Sequence, residues 1–134
     1  MLVKSSNKNS QIAVIGCGKI GQKRAEGLGD NVKVFGCFDI CPDSSEAFSK
    51  KFNCEKFSHP QLLIESNQID TVIICVQHDM LCDYAVSAIK AGKNVLVEKP
   101  AAIRSADLDI LITELKKTKV YFDVGFNHRF HPAV

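Results

Sequence analysis

Three glycines in Gly16-Cys17-Gly18-Lys19-Ile20-Gly21 stand in the spacing G-x-G-x-x-G, directly after an apolar run, Gln11–Ile15, and before a segment of helical spacing, Ile20–Leu28. In that context the pattern suits a dinucleotide pyrophosphate. Gly16 permits a tight turn, Gly18 lets the backbone approach the phosphates, and Gly21 lets the helix pack close to the strand. The helix start at Lys19 and Ile20 offers N–H groups without intrahelical partners and the positive end of the helix dipole. Asp39 closes a second apolar run 18 residues beyond Gly21. A carboxylate there accepts hydrogen bonds from the adenosine ribose hydroxyls. It repels a 2′-phosphate, and neither Ile40 nor Cys41 supplies a cation to hold one, so NAD is expected in preference to NADP. The simpler role for Asp39 is a loop cap.

Two further stretches lie at strand ends. Cys75-Val76-Gln77-His78-Asp79 leaves the fourth strand and is expected to pass under a cofactor's ribose and nicotinamide, with Cys75, Val76 and Gln77 in contact. Asp79 reads as a helix N-cap, and His78 as a loop histidine rather than a catalyst. Glu98-Lys99-Pro100 ends the fifth strand. Proline holds the preceding residue extended, which fixes where Lys99 points. An amine in that position can bond a substrate hydroxyl or carbonyl oxygen and move its proton. Lys99 is the candidate catalytic residue.

These residues need a scaffold, and the hydrophobic pattern supplies one. Strand-like runs are Gln11–Ile15, Val32–Phe38, Glu55–Phe57, Thr71–Val76, Asn94–Glu98 and Val120–Val124. Helical spacing connects them at Ile20–Leu28, Asp43–Phe52 (with Ala47, Phe48 and Phe52 on one face), Pro60–Ser66 and Asp79–Ala91. A last helix, capped by Ser105, has Leu108, Leu111, Ile112 and Leu115 as its inner face. Strands alternating with helices predict an α/β fold, a doubly wound six-stranded parallel sheet in the order 3-2-1-4-5-6. Ligands of that architecture lie beyond the C-terminal strand ends, where the strand order reverses. Residues 1–9 read as a polar tail, 10–125 as a dinucleotide-binding domain and 126–134 as an exit segment.

The stretches Ile12–Gly21, Ile69–Cys75, Ala88–Pro100 and Gly125–Pro132, together with Asp39, resemble the N-terminal Rossmann domain of the Gfo/Idh/MocA oxidoreductases. Ala91–Pro100, reading AGKNVLVEKP, is the most specific piece. The resemblance implies hydride transfer between NAD(P) and a secondary hydroxyl carbon of a sugar, cyclitol or related compound. It matches Lys99 to the family's catalytic lysine, whose bond to the following proline is often cis. Val76-Gln77 stands where members commonly carry Thr-Pro. Leu81 stands, by count, where they carry a histidine, and so joins Glu98 and Lys99 among the expected cofactor contacts. Members continue into a second domain that supplies most substrate contacts, an Asp and His motif and usually the oligomer interface. The sequence ends at Val134, so that substrate domain is expected to be absent, this chain inactive alone, and its uncovered apolar surface prone to self-association. Arg129 and His131 fall in the exit segment near the family's active site. The other reading is a non-catalytic NAD-binding or sensing module. An S-adenosylmethionine methyltransferase would share the glycine loop and the acidic ribose binder, but not Glu98-Lys99-Pro100 or a sixth parallel strand.

Composition narrows the field further. The chain has 134 residues, one domain's worth, with 17 basic and 15 acidic side chains and a net charge of +2. That near-balance carries no electrostatic footprint for nucleic acid or an anionic membrane. No apolar run approaches the roughly 20 residues that cross a bilayer. The N-terminus lacks the apolar core of a secretory signal, so a cytoplasmic location is expected. The six cysteines include no C-x-x-C pair; free thiols and no metal site are expected.

Overall fold

The computed structural model describes residues 10–127 and 132–133. The expected tail, 1–9, and Arg129 and His131 lie outside the described residues. The elements alternate as β1 (Gln11–Ile15), α1 (Lys19–Glu26), β2 (Lys33–Phe38), α2 (Pro42–Phe52), β3 (Glu55–Lys56), α3 (Pro60–Glu65), β4 (Thr71–Ile74), α4 (His78–Lys90), β5 (Asn94–Val97), α5 (Ser105–Lys116) and β6 (Phe122–Val124). All strand pairs are parallel, and the sheet order is β3-β2-β1-β4-β5-β6. This is the doubly wound order, with β1 and β4 side by side at its centre.

The side-chain period of two splits β1 between two cores. Ala13 and Ile15 face one core with Val72, Ile74 and Val97, closed by Leu63, Leu81, Ala85, Ile89 and Leu111 of the helices on that side. Ile12 and Val14 face the other with Ile73, Ala25 and Phe48. Prolines open α2 and α3 at their first turns, where no backbone N–H is needed. Lys93 is buried; its Nζ donates to the carbonyls of Ser66 and Ile69, each at 2.7 Å, and so ties the end of α3 to the start of β5.

Several local expectations are corrected by packing. On α5 only Leu111 is buried and Leu115 partly so; Leu108 and Ile112 are 40% and 41% exposed, because α5 meets α4 along a narrow line at the sheet's edge. Ala47 is exposed as well, at the outer margin of α2, while Phe48 of the same expected face is buried. Arg104 and Gln77, not Ser105 and Asp79, stand at the N-caps of α5 and α4, and neither makes a side-chain cap bond. The fourth strand stops at Ile74, leaving Cys75 and Val76 in the loop. No helix among the described residues is long and apolar enough to cross a membrane. All six cysteines are free.

Candidate functional site

The parallel ladder runs one step past the strands on their C-terminal side. Gly16 N–H donates to Phe38 O at 2.8 Å, Cys75 N–H to Ile15 O at 2.7 Å, Glu98 N–H to Ile74 O at 2.9 Å and Gly125 N–H to Val97 O at 2.8 Å. Four loop residues distant in sequence are thereby fixed in one row along the sheet's edge. Gly16 has φ +97°, and a Cβ on it would sit 2.2 Å from Cys75 O, so the chains leaving β1 and β4 touch there only because Gly16 has no side chain. A Cβ on Gly21 would lie 1.9 Å from Gly16 O. A Cβ on Gly18 would meet nothing within 4 Å. The first glycine and the third therefore serve packing, and the second borders open space. The first intrahelical bond of α1 is Gln22 N–H to Gly18 O at 3.0 Å, so the N–H groups of Lys19, Ile20 and Gly21 precede the ladder.

A cavity of about 950 Å³ opens where β1, β2 and β4 end. Gly16, Gly18, Asp39, Ile40, Cys75, Val76 and Gln77, all singled out in the sequence, line it. Asp39 has two anchors. Its Oδ2 accepts the Cys17 N–H at 2.7 Å and its Oδ1 the Cys41 N–H at 2.8 Å, tying the glycine loop to the start of α2. The loop-cap reading is therefore correct as geometry. Each carboxylate oxygen still has a second lone pair to offer.

The remaining expected residues divide. Glu98, Lys99 and Ile20 line a second cleft, of about 250 Å³, with Lys23, Arg24 and Asn127. The Lys99–Pro100 bond is cis. Lys19 is exposed at the head of α1, and Gly21 is buried beneath Gly16. Leu81 is 0% exposed in the α4 core, which removes it from any ligand contact. The helix begins at His78, so position 81 falls on the turn of the helix that faces the sheet.

Sequence reasoning missed two groups. Phe38, Met80, Tyr84 and Ile103 also wall the large cavity, beside His78 and Asp79 of the stretch expected to pass under the cofactor. Arg24 Nε donates to Glu98 Oε1 across 74 positions of sequence, inside a pair whose side chains are 21% and 14% exposed. No local spacing announces such a pair. Arg24 Nη2 is buried with no hydrogen-bond partner among the described residues. Gly125 passes so close that a Cβ there would lie 2.6 Å from that nitrogen and 2.9 Å from each Glu98 oxygen.

The thiols around the site are of two kinds. Burial, with Glu98 nearby, pushes Cys75 up to about 12, Arg24 opposing. Hydrogen bonding with Cys17 raises Cys37 to about 12. Cys41 is exposed, and hydrogen bonds from the Ser44 side chain and backbone hold it below the usual thiol range.

A doubly wound parallel sheet with a glycine loop on its first turn and an acidic residue closing β2 is the architecture of a dinucleotide-binding domain. Residues 10–126 match the model of the GFO_IDH_MocA oxidoreductase family, NAD-binding Rossmann fold, and the chain belongs to that family. It is 35% identical over 123 residues to the myo-inositol 2-dehydrogenase of Thermotoga maritima, covering 90% of this chain and 37% of that protein. It is 31% identical over 125 residues to the scyllo-inositol 2-dehydrogenase (NAD(+)) of Bacillus subtilis, covering 90% of this chain and 36% of that protein. Among solved structures, an NAD-binding protein from Listeria innocua superposes with TM-score 0.84 at 29% identity, over 92% of this chain and 37% of that one. The chain thus spans somewhat over a third of the length of these relatives.

Proposed function

We propose that residues 10–125 bind NAD in the large cavity and form the cofactor-holding part of a dehydrogenase acting on a secondary hydroxyl of a sugar, cyclitol or related compound. The observation that carries this is the union of Gly18 and Asp39 in one cavity at the strand-order reversal, with Lys99 at the end of the next strand but one. The vacant space around Gly18 and the unbonded first-turn N–H groups of α1 fit a pyrophosphate. The free lone pairs of Asp39 fit ribose hydroxyls, and its charge opposes a 2′-phosphate. NAD, when bound, accepts or donates the hydride.

The chain's own groups do the rest. The glycine loop and Asp39 hold the two ends of the adenosine diphosphate. Cys75, Val76 and Gln77 line the path toward β5. Lys99, exposed at the cleft and held after β5, meets the substrate oxygen. As the alcohol carbon gives up its hydride, an unprotonated Lys99 Nζ takes the hydroxyl proton and a carbonyl forms; in reduction the same ammonium returns the proton. Calorimetric titration with NAD and NADP tests the reading. NAD is expected to bind at least about tenfold more tightly, or 1.4 kcal/mol. Equal affinities, or tighter NADP, would overturn the assignment of Asp39.

A further inference from the structure

We propose that the small cleft beside Lys99 is an anion subsite, and that the substrate is a polyol or sugar derivative bearing a carboxylate or phosphate. This rests on the reading of Lys99 as the residue that meets the substrate oxygen. The cleft measures about 250 Å³, far less than the 950 Å³ of the cavity over Gly18, and suits one small substituent rather than a dinucleotide. Two cations, Lys23 and Arg24, line it together with the proton-shuttling amine of Lys99 and one carboxylate, Glu98. That carboxylate is already neutralised by Arg24. The Lys23 and Lys99 side chains are exposed, and neither amine has an ion pair or hydrogen bond among the described residues. Arg24 keeps a buried Nη2 without a hydrogen-bond partner among the described residues, so the wall beneath the cleft has an N–H short of an acceptor. The Asn127 side chain adds polar atoms at the rim. A partly enclosed cleft with uncompensated positive charge concentrates anions. Lys23 is the natural receptor, because Lys99 is occupied with the reacting oxygen and Arg24 with Glu98. The two subsites share one wall, so an anionic group held by Lys23 sets which hydroxyl of the substrate reaches Lys99.

The test is an amide-resonance titration of the labelled 134-residue chain with sodium phosphate and, separately, sodium acetate, at constant ionic strength made up with chloride. It is run with and without saturating NAD. Saturable millimolar shifts are expected at Lys23, Gly125 and Asn127, for one anion or both, and the tighter of the two names the substituent. Lys23→Gln should weaken them about threefold to fivefold, the range of a single exposed charge contact. Lys23→Glu should weaken them by about tenfold or more. Lys33→Gln, at the N-terminal end of β2 and so at the opposite end of the strands, should change nothing. Shifts that never saturate, that survive Lys23→Glu, or that occur only at Gly16 to Gly18 would overturn the proposal. The cleft is read in the NAD-free arm too, so a chain that fails to bind NAD refutes the proposed function and leaves this result standing.

Discussion

Gly18→Val and Gly21→Ala form a pair of substitutions that separates ligand room from packing. Gly18 has φ −73° and ψ −167°, a conformation open to any residue, and its Cβ direction is clear to 4 Å. Valine there is a poorer N-cap than glycine, by about 0.5–1 kcal/mol. It also restricts the unfolded chain, which returns a comparable amount. The net change in stability should stay within about 1 kcal/mol. The side chain, however, occupies the space in front of the first-turn N–H groups. Losing two charge-assisted bonds to a pyrophosphate, at about 1.5–3 kcal/mol each, weakens NAD by at least about a hundredfold. Gly21→Ala reverses the pattern. Its Cβ would stand 1.9 Å from Gly16 O and 3.3 Å from Val14 Cγ1. Overpacking of this kind costs about 1–3 kcal/mol, and here the obstacle is backbone. The better helix propensity of alanine recovers about 1 kcal/mol at most. A net loss near 2 kcal/mol lowers Tm by about 6–10 °C in a domain of this size. Thermal melts followed by calorimetric NAD titration of both variants decide the matter. If Gly18→Val binds NAD like the parent, or melts as early as Gly21→Ala, the division of labour among the three glycines is wrong.

Asp39→Asn keeps the shape but leaves one of the Cys17 and Cys41 N–H groups facing an amide NH₂, so the NAD-free chain should lose about 1–3 kcal/mol in denaturant melts; an unchanged midpoint would show that the two bonds contribute nothing. Because Lys99 and its cleft are open to solvent, the chain alone should reduce NAD only slowly with inositol or glucose. Robust turnover that Lys99→Ala abolishes would prove it self-sufficient. Lys93→Met strips two 2.7 Å bonds, one from the buried Ile69 carbonyl and one from the part-buried Ser66 carbonyl, and should cost about 2 kcal/mol, a figure that a chemical melt can contradict. In the unfolded chain the Cys75 thiol ionises near 9.0 and in the folded chain near 12. Between those values the unfolded state holds fewer protons, so stability should fall as pH rises, and Cys75→Ala should flatten that slope. At neutral pH iodoacetamide should label exposed Cys41 before Cys37 or Cys75; reversed order in peptide mass spectrometry would contradict the assigned environments.

What the sequence determined by itself was local and periodic. The spacing of Gly16, Gly18 and Gly21 is a statement about one turn. The β-branched run at Thr71–Ile74 shows a strand covered on both faces, and the alternation of such runs with helices constrains the sheet order, because parallel neighbours need crossovers of one hand. Pro42 and Pro60 mark helix starts through a missing donor. Tertiary structure decided whatever depends on a second partner. Helical spacing puts Leu108, Leu111 and Ile112 on one side of α5, yet how deep each lies depends on what α5 rests against, and it rests on little more than α4. Counting placed Leu81 near the site, but the point where α4 begins turned it into the core. The Arg24–Glu98 pair joins residues 74 apart, and Gly125 had to close over it before the cleft beside Lys99 existed. Backbone geometry is set within a few residues and is written in residue types. Burial and charge pairing are set between elements, through distances that no single segment of the chain contains.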